Sequence, residues 1–196
     1  MSIFQTLKYM LSALGAFLFR RQKVVITEIP AGKIIDIGGG GEGIIAQIGA
    51  DRVTAVDKLE SEIKSAQAKA PTATWQVADA QDLPFENESF DNATIFFSLM
   101  YMKQLVKEEV ISEVYRVLPP GGEFWIWDAN IQKEGIFVIM MKIKLPNGKT
   151  VRTGYGSKDC IQSPESISEI LQKTGFQIKE TTTNKLWFLI KAKKAT

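Results

Sequence analysis

A glycine-rich segment from Asp36 to Gly43, with the sequence DIGGGGEG, limits the folds available to this chain more than any other feature. It follows the apolar residues 33–37, which predict a short buried strand, and precedes residues 44–48, which predict a helix. Glycines let the chain turn sharply and approach a ligand closely, and the start of the next helix presents free backbone N–H groups. A strand, a glycine loop and a helix in this order predict a nucleotide-binding turn in an α/β domain.

Strands and helices continue to alternate along the chain. The sequence predicts further strands at 52–56, 74–78, 92–98 and 123–128, and helices at 60–69 and 103–117. After a last helix that Ser163 caps and Gly175 ends, two more strands, 176–181 and 186–191, are joined by a segment too short for a crossover helix. We therefore expect an α/β fold with a Rossmann-like, seven-stranded sheet. The sheet is expected to be mostly parallel, to end in a C-terminal antiparallel hairpin and to carry helices on both faces.

One segment, residues 131–160, interrupts this alternation. Apolar side chains recur at every second position from Phe137 to Leu145, and Asn147-Gly148 then offers a two-residue turn. We interpret the segment as a hairpin insertion. A two-residue turn would place Val151 on the same face as Lys144, so the predicted alternation is imperfect.

An apolar-rich segment at the N-terminus precedes the predicted sheet. The spacing of its apolar side chains, in steps of three and four, predicts an amphipathic helix within residues 1–22. The residues on that face are Phe4, Leu7, Leu11, Leu14 and Leu18. The run falls short of the roughly 20 apolar residues that span a bilayer. Three interpretations stay open: a helix packed on the core, a lid over a ligand cleft, and a membrane-surface contact helped by Arg20 and Arg21.

The composition removes several kinds of catalytic machinery. The chain has no histidine, which excludes Ser-His-Asp and Cys-His nucleophiles, imidazole bases and histidine-containing metal sites. A single cysteine, Cys160, excludes an internal disulfide and a cysteine zinc cluster, so no metal site is predicted and a reducing, cytoplasmic compartment is expected. The net charge of +2 gives no strong attraction to nucleic acid. The length fits one domain, residues 1–196, and leaves the oligomeric state open.

Two nucleotide classes fit the glycine loop. Gly38, Gly40 and Gly43 satisfy the pattern G-x-G-x-x-G, and Asp57 follows about 20 residues later at the end of the next predicted strand, where it can hold a ribose. That pattern alone supports an NAD-dependent oxidoreductase. Asp36, however, precedes the loop by two positions, and its carboxylate would repel a pyrophosphate and attract a cationic amino group.

Four separated motifs carry a resemblance to a known family. They are IIDIGGGGEG at 34–43, VTAVD at 53–57, ADAQDLPFENESFD at 78–91 and EVYRVLPPGG at 113–122. With these motifs the sequence resembles the class I S-adenosylmethionine-dependent methyltransferases, particularly the small-molecule group that includes the ubiquinone and menaquinone biosynthesis methyltransferases. The resemblance covers residues 33–128, the helix that Ser163 caps and the terminal hairpin.

The resemblance implies S-adenosylmethionine as the cofactor and S-adenosylhomocysteine as its product. By that likeness Asp36 and the glycine loop hold the methionine part, Asp57 the ribose hydroxyls and Asp79, with the Ala80 backbone, the adenine. The full set of implied cofactor-binding residues is Asp36, Gly38, Gly39, Gly40, Gly41, Glu42, Gly43, Asp57, Lys58, Asp79, Ala80, Phe97 and Ser98, of which the last two line the reactive side. Glu42 departs from the family pattern, since many relatives have glycine there.

Methyl transfer from a sulfonium depends chiefly on positioning, because the leaving group is already activated, so a chain without histidine can perform it. The resemblance therefore implies methyl transfer to an unidentified small molecule. If the N-terminal helix is a lid, its apolar face favours an apolar or aromatic acceptor. No catalytic residue is identified. Tyr101 is a candidate for orienting or deprotonating the acceptor, with Tyr9 and Tyr155 as weaker candidates. Alternatively, Tyr101 is a buried phenol that bonds to a backbone carbonyl.

Two other functions stay open at this point. One is the NAD-dependent oxidoreductase that the glycine pattern alone supports. The other is a non-catalytic, methyltransferase-like module that binds the cofactor or a partner without turnover. The nucleotide that the chain binds separates the first from the methyltransferase, and turnover separates the second.

Overall fold

The computed structural model describes residues 21–196. The strands are β1 (Arg21–Val25), β2 (Ile34–Ile37), β3 (Val53–Asp57), β4 (Thr74–Val77), β5 (Asn92–Phe96), β6 (Glu123–Ala129), β7 (Ile136–Lys144), β8 (Thr150–Lys158), β9 (Phe176–Thr183) and β10 (Trp187–Lys194). The α-helices are α1 (Ile44–Gly49), α2 (Glu60–Gln67), α3 (Gln104–Val117) and α4 (Pro164–Thr174). Short 3₁₀ turns cover Ala50–Arg52 and Leu99–Tyr101.

The main sheet has the order β4-β3-β2-β5-β6-β10-β9. Strands β2 to β6 are parallel, whereas β10 runs antiparallel to both of its neighbours, β6 and β9. The α/β, Rossmann-like prediction is confirmed by this sheet. Its strand order reverses between β2 and β5, and ligands of open α/β sheets bind beyond the carboxyl ends of the strands at such a point.

A second sheet, of order β1-β7-β8, makes the prediction of one seven-stranded sheet incomplete. Strand β1 pairs in parallel with β7, and Arg21 lies opposite Met140. The prediction assigned Arg21 and Gln22 to the end of the N-terminal helix, which is wrong. Val24 and Ile26 are buried between exposed neighbours, and this period of two is the pattern of a strand. The rest of that predicted helix lies outside the described residues.

Strands β7 and β8 form the antiparallel hairpin expected within residues 131–160, but in a different register. The turn contains three residues, Pro146 to Gly148, because the Leu145 N–H donates to the Lys149 carbonyl at 2.8 Å. The extra residue places Val151 opposite Ile143 instead of Lys144. Both are buried, so the three-residue turn restores the apolar face that a two-residue turn would break.

Both faces of the main sheet are covered. Helices α3 and α4 pack on one face, where Val110 and Ile167 join a buried cluster with Ile35. Helix α1 and the three-stranded sheet cover the other face, where Ile45 and Ile139 belong to a second cluster. The hairpin is thereby brought over the edge of the sheet at which β2 and β5 end. Within residues 21–196, no helix is both long and apolar enough to cross a bilayer.

Candidate ligand-binding site

A cavity of about 590 Å³ lies at the carboxyl ends of β2, β3, β4 and β5. It brings together every cofactor-binding residue that the sequence predicts, and Tyr101 as well. These lining residues are Asp36, Gly38, Gly39, Gly40, Gly41, Glu42, Gly43, Asp57, Lys58, Asp79, Ala80, Phe97, Ser98 and Tyr101. Asp36, Asp57 and Asp79 stand on or just after three different strands, so the parallel arrangement alone makes these side chains converge.

The glycine loop packs closely against two carboxylates. The Gly40 N–H donates to Asp57 Oδ2 at 3.2 Å, and the Leu59 N–H donates to Asp57 Oδ1 at 2.9 Å. A Cβ atom on Gly40 would lie 2.6 Å from Asp57 Oδ2, and one on Gly39 would lie 2.6 Å from Asp36 Oδ2. The loop therefore presents bare backbone to the cavity, because no side chain fits between it and the carboxylates.

Asp36 is almost completely buried, with 1% of its surface exposed. The Thr94 hydroxyl donates to its Oδ1 at 2.7 Å. Burial raises the pKa of Asp36 to about 7, and the nearby Asp57 charge adds to the increase. This carboxyl group is consequently poised between its neutral and charged forms near neutral pH.

Glu42, the departure from the family pattern, lines the cavity and is paired with a lysine. Lys69 Nζ lies 3.1 Å from Glu42 Oε1 and also donates to the Gly41 carbonyl at 2.8 Å. Gly43, the next residue, adopts a left-handed conformation with φ of 57° as the N-cap of α1. The loop thus accommodates the glutamate without a change at the helix start.

The segment after β4 is fixed to α3 by an ion pair. Glu113 and Arg116 are 2.7 Å apart, and their spacing of three residues on a helix predicts only a local surface pair. In the structure Glu113 also accepts the Leu83 N–H at 2.8 Å, while Arg116 donates to the carbonyls of Leu83 and Phe85 at 3.0 and 2.7 Å. The pair therefore anchors the segment that begins with Asp79.

Two stacked aromatic rings form one wall of the cavity. Phe97, directly after β5, has a φ of 53°, which is unusual for a residue with a side chain. Its ring stacks on Tyr155 of β8 with centroids 4.8 Å apart and planes 13° apart. Burial raises the pKa of Tyr155 well above its ordinary value, so the phenol stays protonated at neutral pH. The hairpin thus completes the cavity with an uncharged ring.

The interpretation of Tyr101 as a buried phenol bonded to a carbonyl is wrong. Its side chain is 57% exposed, and its phenol oxygen accepts the Gly156 N–H at 3.4 Å. The 3₁₀ turn at Leu99–Tyr101 explains the difference, because Leu99 and Met100 take its buried positions and leave Tyr101 at the mouth of the cavity.

Asp128, which the sequence prediction missed, fixes the loop that carries these aromatic residues. It is fully buried and accepts the Leu99 N–H at 2.8 Å, the Ala129 N–H at 2.7 Å and the Gln162 side-chain N–H at 2.6 Å. Burial raises its pKa to about 6, although these hydrogen bonds oppose the increase. A signal was present, since Asp128 stands at the carboxyl end of its strand just as Asp57 does.

Residues 35–126 are similar to one known protein family. They match the family model described as "Methyltransferase domain". O-methyltransferase resE of Aspergillus sclerotiorum is 29% identical over 160 residues, which are 76% of this chain and 56% of that protein. The ubiquinone/menaquinone biosynthesis C-methyltransferase UbiE of Rubrivivax gelatinosus is 33% identical over 111 residues, or 55% of this chain and 43% of that protein. The chain thus spans about half the length of these curated relatives.

The fold has close counterparts among solved structures. A structure described as SAM-dependent methyltransferases from Methanosarcina mazei superposes with a TM-score of 0.64 at 21% identity. The match covers 86% of this chain and 95% of that chain. The arrangement of strands and helices is therefore shared over nearly the whole of both chains.

Proposed function

We propose that this chain, whose residues 35–126 match a methyltransferase domain model, is a class I, S-adenosylmethionine-dependent enzyme and transfers the cofactor's methyl group to an apolar or aromatic small molecule. The observation that supports this proposal best is the convergence of three acidic residues and the glycine loop on one cavity. The acceptor would enter on the side of Phe97 and Tyr155. NAD-dependent oxidation is not favoured, because Asp36 stands where a pyrophosphate would have to lie.

The residues present fit this cofactor. Five carboxylates line the cavity against two ammonium groups, Lys58 and Lys69, which suits a ligand with cationic groups more than one with phosphates. The backbone of Gly39 and Gly40 lies close to the carboxylates of Asp36 and Asp57. The shallow hollow at this point would be filled by a single Cβ atom at either glycine. The resemblance implies that the methionine part and the ribose bind at these positions.

The chain's own groups have distinct tasks. When bound, S-adenosylmethionine supplies a methyl group on a positively charged sulfur, which departs as a neutral thioether. Asp57 has its side chain fixed by the N–H groups of Gly40 and Leu59, so its carboxylate is oriented before a ribose arrives. Phe97 and Tyr155 exclude water from the reactive side and present flat apolar surface to an acceptor.

Among the residues that the structure describes, the acceptor side formed by Phe97 and Tyr155 offers no accessible carboxylate. Tyr155 stays protonated, and Asp128 is buried behind the loop with its oxygens occupied by N–H donors. The chain therefore promotes the reaction by positioning the acceptor and excluding water, more than by removing a proton. This arrangement suits a nucleophile that needs no assistance, such as a carbon or oxygen of an electron-rich ring that ionises on its own.

Calorimetric and thermal titration of the full chain tests the cofactor. At 100 times its dissociation constant S-adenosylhomocysteine should stabilise the protein by about 2.7 kcal/mol, a rise in Tm of roughly 5 to 10 °C. NAD should give no rise. Stabilisation by NAD alone, or by none of the three nucleotides S-adenosylmethionine, S-adenosylhomocysteine and NAD, would contradict the proposal.

A matched pair of variants assigns the effect to the cavity. Asp57→Ala should weaken S-adenosylhomocysteine binding by at least about tenfold, because a charge-assisted hydrogen bond is lost. Asp82→Ala removes an exposed aspartate that does not line the cavity, and its affinity should equal that of the wild type. Release of S-adenosylhomocysteine in the presence of a panel of aromatic acceptors then measures turnover, and its absence across a panel would favour the non-catalytic module.

A further inference from the structure

A second concave surface continues from the cavity past Tyr101 and Met102, which line both. We call it the basic groove. It has a volume of about 740 Å³ and lies between the start of α3 and the end of β8. Its lining includes Tyr101, Met102, Lys103, Lys107, Lys158 and Asp159. Because the two spaces share a wall, one elongated molecule can contact both.

A buried ammonium group lies in this groove. Lys107 is 2% exposed, and its Nζ donates to Gln162 Oε1 at 2.7 Å and to Cys160 Sγ at 3.7 Å. It forms no ion pair with any carboxylate in the described part of the chain, and residues 1–20 contain no aspartate or glutamate. The Asp128 carboxylate interacts with this ammonium group through space and through the Gln162 amide, so Lys107 has a buried counter-charge. Gln162 and Cys160 take two of its three N–H donors, which leaves one N–H for an added anion.

The rim of the groove adds to its positive potential. Lys103 and Lys158 are both exposed there, and Asp159, the single acidic residue of the lining, lies 3.7 Å from Lys158 Nζ and offsets part of that charge. Lys103 is also the N-cap of α3, whose first turn has no side-chain cap, so its free N–H groups carry the positive end of the helix dipole. The neighbouring cavity has the opposite character, since five carboxylates line it.

We propose that the basic groove binds an anionic group, a carboxylate, sulfonate or phosphate, carried at the far end of the methyl acceptor. The acceptor would place its ring against Phe97 and Tyr155, pass Tyr101, and set its anionic end near Lys107. This inference rests on the proposed function, because it takes the adjoining cavity as the site of methyl transfer. It narrows the substrate class from apolar or aromatic molecules to aromatic acids of elongated shape.

A pair of fluorescent probes that differ in one anionic group tests the proposal on the full chain. 8-Anilinonaphthalene-1-sulfonate carries a sulfonate, and N-phenyl-1-naphthylamine has the same rings without it. In the presence of saturating S-adenosylhomocysteine, the sulfonate probe should bind at least about tenfold more tightly, the factor that one hydrogen bond to a charged group provides. Equal affinities would overturn the proposal.

Variants locate the binding. Lys107→Met should remove the preference for the sulfonate, and the exposed double variant Lys103→Gln/Lys158→Gln should reduce it even if the buried change impairs folding. Lys173→Gln/Lys179→Gln removes the same charge from exposed positions elsewhere and should leave the preference intact. An undiminished preference in Lys103→Gln/Lys158→Gln, or an equal loss in the control, would refute the assignment.

Two further arms separate the causes of a negative result. Failure of S-adenosylhomocysteine to bind would defeat the proposed function, whereas the probe comparison without nucleotide would still report on the groove. If sulfate displaces the sulfonate probe and binds as tightly as the probe does, the groove is a site for free anions. That result would overturn the acceptor assignment. Weak displacement by sulfate supports recognition of the anion as part of an aromatic molecule.

Discussion

At the scale of single residues, the cavity depends on backbone atoms that approach side chains more closely than any Cβ atom would permit. Gly38 combines a φ of +66° with a position where an added Cβ would lie 2.7 Å from Ser98 Cβ. It is therefore constrained twice, by conformation and by space. Gly135 provides a natural comparison, since its φ is +107° and nothing lies within 4 Å of an added Cβ.

We expect Gly38→Ala and Gly135→Ala each to lower the free energy of unfolding by about 1 kcal/mol, the cost of a left-handed alanine. Only Gly38→Ala should also weaken S-adenosylhomocysteine binding, by at least about tenfold, because Ser98 must move into the cavity. Urea unfolding and calorimetric titration measure the two effects. Equal affinities for the two variants would contradict the role given to the space at Gly38.

For Glu42, in contrast to Gly38, we predict that substitution has little effect on ligand affinity. Its carboxylate is engaged by Lys69, which keeps its bond to the Gly41 carbonyl in any variant at position 42. Glu42→Gly should therefore change S-adenosylhomocysteine affinity by less than about fivefold, the range of an exposed ion pair. A larger loss in titration calorimetry would show that the glutamate itself contacts the ligand.

Single residues also show what the sequence could predict. Asp36, Asp57 and Asp79 were predictable because each ends or directly follows a strand pattern, and parallel strands bring their ends together. Asp128 obeys the same rule but lies outside the family motifs that drew attention to the others. The exposure of Tyr101 could not be predicted, because it depends on which residues of a 3₁₀ turn pack inward.

At the scale of helices and strands, contacts between segments distant in sequence determine features that local sequence patterns do not predict. The hairpin was predictable from alternating apolar residues, but its register depended on whether its turn has two or three residues. The sequence did not reveal strand β1, because its five residues directly follow a segment whose apolar spacing predicts an amphipathic helix. The partners of Arg116 are backbone carbonyls more than 30 positions away, which no helical spacing reveals.

The contact between α3 and the segment after β4 leads to a prediction. Arg116→Met removes the donors to the Leu83 and Phe85 carbonyls but keeps the aliphatic stem. We expect the free energy of unfolding to fall by about 2 kcal/mol, since partly buried polar groups lose their partners. Hydrogen exchange at residues 80–90 should quicken more than exchange in β5. Uniform exchange across both regions would contradict the anchoring role.

At the scale of the whole molecule, the site places an ionisable carboxyl group inside the core that holds the sheet together. The pKa of Asp36 rises from 3.8 to about 7 on folding, so the folded protein holds this proton more tightly than the unfolded chain. The resulting stabilisation is complete below pH 3.8 and is lost as pH rises through about 7. Asp128 contributes in the same direction up to about pH 6.

Asp36→Asn isolates this effect, because the Thr94 hydroxyl can still donate to the amide oxygen. Relative to the wild type, the free energy of unfolding of the variant should increase between pH 5 and pH 8 by on the order of 2 to 3 kcal/mol. Urea titrations at the two pH values measure the difference. The exposed variant Asp82→Asn serves as control, and an equal change there would refute burial as the cause.

The position of β10 between β6 and β9 has a consequence for biosynthesis. Strand β10 follows both of its neighbours in the chain, so neither can complete its pairing until residue 194 has left the ribosome. The parallel strands β2 to β6, whose ends carry Asp36, Asp57 and Asp79, emerge much earlier and can assemble during translation. A nascent chain can thus form the ligand-binding ends of the parallel strands while β6 still lacks its partner β10, a state that exposes unpaired backbone to other chains.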